Sequence, residues 1–241
     1  GRARRIVLTR GGRDGGDGHP PDPAAFAIGG LLRSLQLEAR EARPTWVDVG
    51  AEADVDALLL ALQADQEDAL GVDGDLVRVA RLARRRVRAK VAPVSGTWWV
   101  TGGLGSLGLR VARWLVEHGA EELVLTSRKA LPERGSAEAV GDPEAARRIA
   151  AIVELEALGA TVHAVAVDVA DAEGMERLLL SAPPDGVVHA AGITLPQAAS
   201  AIDPETFRHT LHGKVEGARV LDRVLGEREL QGFVLFSSIA A

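Results

Sequence analysis

Four glycines, Gly102, Gly103, Gly105 and Gly108, crowd the stretch TWWVTGGLGSLG at residues 97–108, between an apolar run rich in β-branched and aromatic residues and an apolar pattern at helical spacing. Such a stretch can bind phosphate. Glycine lets the chain turn sharply, lets backbone N–H groups approach a pyrophosphate, and lets the following helix pack closely on its strand. The N-terminus of that helix then turns its partial positive charge towards the anion. An ordinary tight strand-to-helix turn would use the same glycines, so the neighbouring residues must decide. The next apolar run, ELVLTS, ends in Ser127, Arg128 and Lys129, where a unit that reads an unphosphorylated ribose usually carries a carboxylate. A cationic pair suits a 2′-phosphate, so the pattern predicts NADPH rather than NADH; a solvated arginine at a strand end is the alternative.

Further along the chain, Asp168 and Val169 end a third apolar run, placing a carboxylate either at the ligand-binding edge of a sheet or as the cap of the next turn. The sequence His189-Ala190-Ala191-Gly192 follows a fourth strand, and its small residues let a flat ring lie close to the backbone. His189 reads as a packed strand-end histidine, because nothing beside it in sequence would orient it as a base. Lys214 sits on a long helical pattern, and Ser237 and Ser238 follow a last strand. Without further context Lys214 and Ser238 read as a solvated lysine and a backbone-bonded serine.

The elements that must position these residues alternate. In the second part of the chain, strands are predicted at 97–101, 122–127, 161–167, 186–189 and 232–236, with helices at 107–118, 143–158, 172–181 and 204–225. Asp142 and Asp203, each followed by proline, mark helix starts. Residues 129–142 read as a polar loop. The first part has strands at 5–9 and 45–49, helices at 24–42 and 55–63, and an extended segment at 75–82. It contains no glycine-rich turn opening a helix, and so reads as an α/β unit without a nucleotide site. The fold class predicted is α/β, a Rossmann-like doubly wound parallel sheet over residues 93–241 preceded by a smaller Rossmann-like unit over residues 1–92.

The hydrophobic fraction of 46% in 241 residues is ample for a buried core. A net charge of −6, from 34 acidic and 28 basic side chains, argues against a general attraction to nucleic acid or to an anionic membrane surface. The basic run RLARRRVRAK at 81–90 has no aromatic residue with which to stack bases, and reads as a strand end or linker. Without cysteine, disulfides and thiolate metal sites are excluded and a reducing cytoplasm is the expected compartment. No apolar run is long enough to span a bilayer. Tyrosine is also absent, although many reductases with this kind of turn use one as proton donor.

Taken together, TGGLGSLG, LTSR, DVAD, HAAG, LHGKVEGARVL and FVLFSS stand in the order and spacing of the short-chain dehydrogenase/reductase family. More narrowly, they resemble the ketoreductase domain of modular polyketide synthases. The first part, with AFAIGGLLRSLQLEAR, WVDV and LVRVARL, is similar to that domain's non-catalytic structural subdomain, shortened at its start. The resemblance implies a cofactor turn of Thr101, Gly102, Gly103, Leu104, Gly105, Ser106, Leu107 and Gly108, with Ser106 standing where the general pattern has a glycine. It implies that Ser127 and Arg128 meet the 2′-phosphate, that Asp168 and Val169 border the adenine, and that His189, Ala190, Ala191 and Gly192 line the nicotinamide side. Ser238 would hold the substrate carbonyl, and Lys214 would be the active-site lysine.

The implied reaction is reduction by NADPH of a β-ketoacyl thioester, carried on an acyl carrier protein among neighbouring polyketide synthase domains, to the β-hydroxy compound. The family's catalytic tyrosine and asparagine would fall beyond residue 241. A Leu-Asp-Asp signature that marks one hydroxyl configuration is replaced by ITLPQ at 193–197. A working reductase and a non-catalytic ketoreductase-like scaffold both remain open, whereas a freestanding short-chain reductase would not need the first α/β unit.

Overall fold

The computed structural model describes residues 4–13, 20–38, 43–84 and 93–237. These form two compact units, one from residues 4–84 with Gln197–Ala201, the other from residues 93–196 and 202–237. Ser238 and residues 85–92 lie outside the described residues.

In the first unit β1 (Ile6–Arg10), β2 (Thr45–Val49) and β3 (Ala69–Asp73) run parallel, joined by crossover helices α1 (Pro23–Glu38) and α2 (Val55–Gln63). Strand β4 (Leu76–Val79) returns antiparallel to β3 through a turn at Gly74. Val47, Leu70 and Val72 pack on Ala57 and Ala61 of α2. On the opposite face Trp46 lies against Gly29 of α1, where a Cβ would come within 2.2 Å of the indole. Buried Asp48 in β2 accepts hydrogen bonds from the backbone N–H groups of Gly12 (2.9 Å) and Arg13 (2.8 Å) and from Thr9 Oγ1 (2.5 Å). In this unit a carboxylate of the protein takes two amides of the turn after β1, donors of the kind that a phosphate-binding turn would offer to a ligand.

The second unit contains β5 (Thr97–Thr101), α3 (Ser106–Glu117), β6 (Glu122–Ser127), α4 (Ala137–Gly141), α5 (Pro143–Ala157), β7 (Thr161–Ala166), α6 (Ala172–Ser181), β8 (Gly186–His189), α7 (Pro204–Leu211), α8 (Gly217–Leu225) and β9 (Gly232–Leu235). Its strands are all parallel, in the order β7-β6-β5-β8-β9. Both faces of the three central strands β6, β5 and β8 are buried. Trp98, Val100, Leu123 and Leu125 meet Leu115, Ile152 and Leu155 on one face; Trp99, Val124 and Val187 meet Met175, Leu178, Leu221 and Leu225 on the other. A sheet apolar on both sides in this way is the doubly wound arrangement the sequence predicts. The strand order reverses between β5 and β8, so a cleft opens at their carboxyl ends.

Three local features depart from the sequence reading. The short segment ALGVD, interrupted by Gly71, is strand β3 and supplies the buried centre of the first unit's core. Within the polar stretch read as a loop, Ser136 caps the one-turn helix α4 by accepting from the N–H of Ala139. The single helix predicted over 204–225 is divided by a π-turn, His212–Glu216, in which the N–H of Gly217 bonds the carbonyl of His212. Gly217 packs against Val169 and His189, and the inserted residue lets the helix meet that contact without losing its direction.

Candidate functional site

The glycine turn follows directly from β5. Gly102 has φ +64°, a conformation that disfavours any side chain, and a Cβ there would meet the backbone of Ala191 at 2.8 Å. At Gly108 a Cβ would lie 2.3 Å from the Gly102 carbonyl oxygen, so the first turn of α3 rests on the glycine turn itself. Gly105, the N-cap of α3, offers no capping side chain, and the first helical turn carries no acid. By contrast Asp54, Asp142 and Asp203 cap α2, α5 and α7 with their carboxylates. The amides at the start of α3 therefore have no capping side chain to meet them.

A cleft of about 740 Å³ opens over this turn. Of the residues the sequence assigns to the cofactor, Gly102, Leu104, Gly105, Ser106, Leu107, Gly108, Ser127, Arg128, Asp168, Val169, Ala190, Ala191 and Gly192 line it. Thr101, Gly103 and His189 do not; they are buried behind the lining and brace it. The Ser127 hydroxyl donates to the carbonyl of Lys129 at 2.6 Å, which closes the turn that exposes Arg128. Asp168 caps the turn and also lies on the cleft wall. One oxygen accepts from the N–H of Ala170 at 3.0 Å and caps the turn, while the other meets His212 Nε2 at 3.2 Å on the cleft wall.

His189 is buried, with Nδ1 2.7 Å from Thr101 Oγ1. The same Oγ1 accepts from the N–H of Ala191 at 3.3 Å. Nε2 is buried without a hydrogen-bond partner. Burial pushes the imidazole below its ordinary pKa, partly opposed by the backbone of Lys214 and Gly213. This is the packed histidine expected, and it ties β8 to β5. Lys214 lies on the π-turn with its stem over Gly192: a Cβ on Gly192 would stand 2.8 Å from Lys214 Cε and 3.0 Å from Cγ. Lys214 is thereby seated beside the small residues after β8.

The cleft is also lined by Arg148 and Glu144 of α5 and by His209 and His212, none of which the sequence reading singles out. For His212 a signal existed, two residues before Lys214 on the same motif. Arg148 has no such signal, because nothing in the sequence distinguishes it from its neighbour Arg147. Among the described residues no helix is long and apolar enough to cross a membrane.

A glycine turn opening an uncapped helix at the switch point of a parallel sheet, followed by a cationic turn on the next strand, is the arrangement of a dinucleotide-binding α/β domain. Residues 96–241 match the KR domain family, and the chain belongs to it, among the ketoreductase domains of polyketide synthases. A solved structure of A-type ketoreductases from a modular polyketide synthase superposes with a TM-score of 0.81 at 35% identity, covering 99% of this chain and 51% of that one. The 5-methyl-1-naphthoate synthase of Streptomyces sahachiroi is 38% identical over 252 residues, 98% of this chain and 14% of that protein. Erythronolide synthase EryA3 of Saccharopolyspora erythraea is 36% identical over 97% of this chain and 7% of its own length. The chain thus spans about half of the solved ketoreductase and a small part of each synthase.

Proposed function

We propose that this chain carries the NADPH-dependent reduction of a β-ketoacyl thioester, delivered on an acyl carrier protein by neighbouring polyketide synthase domains, to the β-hydroxyacyl thioester. The observation that carries this reading is the continuity of the cleft, from Arg128 past the open N-terminus of α3 to Gly192, beside which the stem of Lys214 lies. Bound NADPH supplies the hydride that becomes the new C–H bond at the β carbon. Arg128 pairs with the 2′-phosphate, the amides of the first turn of α3 receive the pyrophosphate, and Ala190 to Gly192 leave room for a flat ring. Ser238 donates a hydrogen bond to the ketone oxygen and stabilises the charge that develops there. The proton that completes the alcohol comes in this reading from a tyrosine hydroxyl, whose ionisation the Lys214 ammonium favours. None of the 241 residues is a tyrosine, so the test uses the full-length protein that contains this chain.

In that protein, NADPH consumption is followed by absorbance with a β-ketoacyl thioester, with NADH in parallel. Arg128→Ala is expected to raise KM for NADPH about tenfold, the loss of one charge-assisted hydrogen bond, with little change in NADH use. A full-length protein that binds NADPH yet reduces no β-ketoacyl thioester would favour the scaffold reading instead.

A further inference from the structure

Arg148, on the second turn of α5, lines the same cleft as Arg128 and Lys129. Its Nη2 donates to Glu144 Oε1 at 2.6 Å, four residues back on the helix. A surface ion pair of this kind leaves the rest of the guanidinium in water, and holds its side chain only loosely. Arg148 differs: its side chain is only 27% exposed, and Nε is buried without a hydrogen-bond partner. A guanidinium that has given up water at one donor, when a flexible side chain could return it to solvent, is being held at the wall by its surroundings.

The carboxylates of this corner have partners in the chain. Asp142 also lines the cleft, but its carboxylate accepts from the N–H groups of Glu144 (2.9 Å) and Ala145 (3.2 Å). Glu144 is committed to Arg148. Three cations, the exposed Arg128 and Lys129 and the partly buried Arg148, stand here against the two carboxylates of Asp142 and Glu144, and Arg148 keeps guanidinium donors that Glu144 does not use. An unpaired Glu144 would favour ribose hydroxyls and repel a phosphate, so Arg148 acts twice in the same direction, as a cation and as the neutraliser of that carboxylate.

We propose that Arg148, held at the cleft by Glu144, is a second reader of the cofactor's 2′-phosphate, acting together with Arg128. This rests on the NADPH reading above and adds a specificity residue to it. The test is a fluorescence titration of the chain with NADPH and with NADH, for the native protein and for Arg128→Ala, Arg148→Ala, Arg148→Gln, Glu144→Gln and the double variant Glu144→Gln/Arg148→Gln, each checked by thermal melting. Both Arg148 variants are expected to weaken NADPH about tenfold with NADH unchanged or tighter. Glu144→Gln, which keeps an acceptor for the guanidinium, retains NADPH affinity, and the double variant recovers part of what Arg148→Gln loses. An unchanged NADPH-to-NADH ratio in the Arg148 variants, with the ratio lowered in Arg128→Ala, overturns the role of Arg148 and leaves the NADPH reading standing. Equal loss of both cofactors in Arg148→Gln likewise overturns it, as a structural effect. A native chain that does not prefer NADPH overturns the NADPH reading and this inference with it.

Discussion

His189 shows how a residue can matter to the site without touching a ligand. Its imidazole bridges β5 and β8 through Thr101, and burial holds its pKa below the ordinary value. Above that ordinary value the folded and unfolded chains both carry a neutral ring, and the contact stabilises fully. As pH falls below about 6.5, the unfolded chain takes up the proton first and stability is lost until the lower folded pKa is reached. His189→Asn, whose amide can still meet Thr101, is therefore expected to flatten the fall in Tm between about pH 7.5 and about pH 5.5, measured by circular dichroism. An unchanged slope would mean that other groups carry it. Residue chemistry of this kind was legible in part. The glycines, Arg128 and the small residues after β8 announce themselves by type and spacing. Arg148 does not, because a helix surface rich in charge gives no sign of which cation the fold will turn towards a cleft.

At the scale of elements, the sequence identifies strands β2, β5, β6 and β8 and helices α2 and α6 to their end residues, because each is a clean apolar run or stripe bounded by turn residues. The π-turn could not be read, since the apolar period of LHGKVEGARVL continues across it and the inserted residue answers to a tertiary contact. Strand β3 was missed because five residues with a central glycine carry little period. The π-turn's dependence on close packing gives a pair of opposed predictions. Gly30 in α1 has open space where a Cβ would stand, so Gly30→Ala is expected to stabilise by about 0.5–1 kcal/mol through helix propensity. At Gly217 a Cβ would meet Val169 Cγ1 at 2.6 Å, so Gly217→Ala is expected to destabilise by about 1–3 kcal/mol as overpacking outweighs the same gain. Thermal melting of the two variants checks the signs, and reduced turnover in Gly217→Ala within the full-length protein would tie the π-turn to the position of Lys214.

For the whole molecule, two α/β units of similar plan differ in what they do with the end of their first strand. In the first, Asp48 occupies the amides of Gly12 and Arg13; in the second, the corresponding turn is glycine-rich and leads into an uncapped helix. The doubly wound class and the family were legible because several motifs had to fall in one order, which a single glycine turn could not have established. A ligand that binds only the folded second unit raises its stability by mass action. NADPH at about 100 times its Kd is expected to add about 2.7 kcal/mol, seen as a higher Tm, and NADH at the same concentration much less.

The most direct test of the account is product formation. The full-length protein containing this chain is given NADPH and a β-ketoacyl thioester on an acyl carrier protein, and the acyl group is released and weighed by mass spectrometry. The account predicts a β-hydroxyacyl product two hydrogens heavier than the substrate, one of them deuterium when the nicotinamide carries deuterium at its transferable position, and slower formation in Lys214→Ala. An unreduced acyl group, with NADPH demonstrably bound, would contradict it.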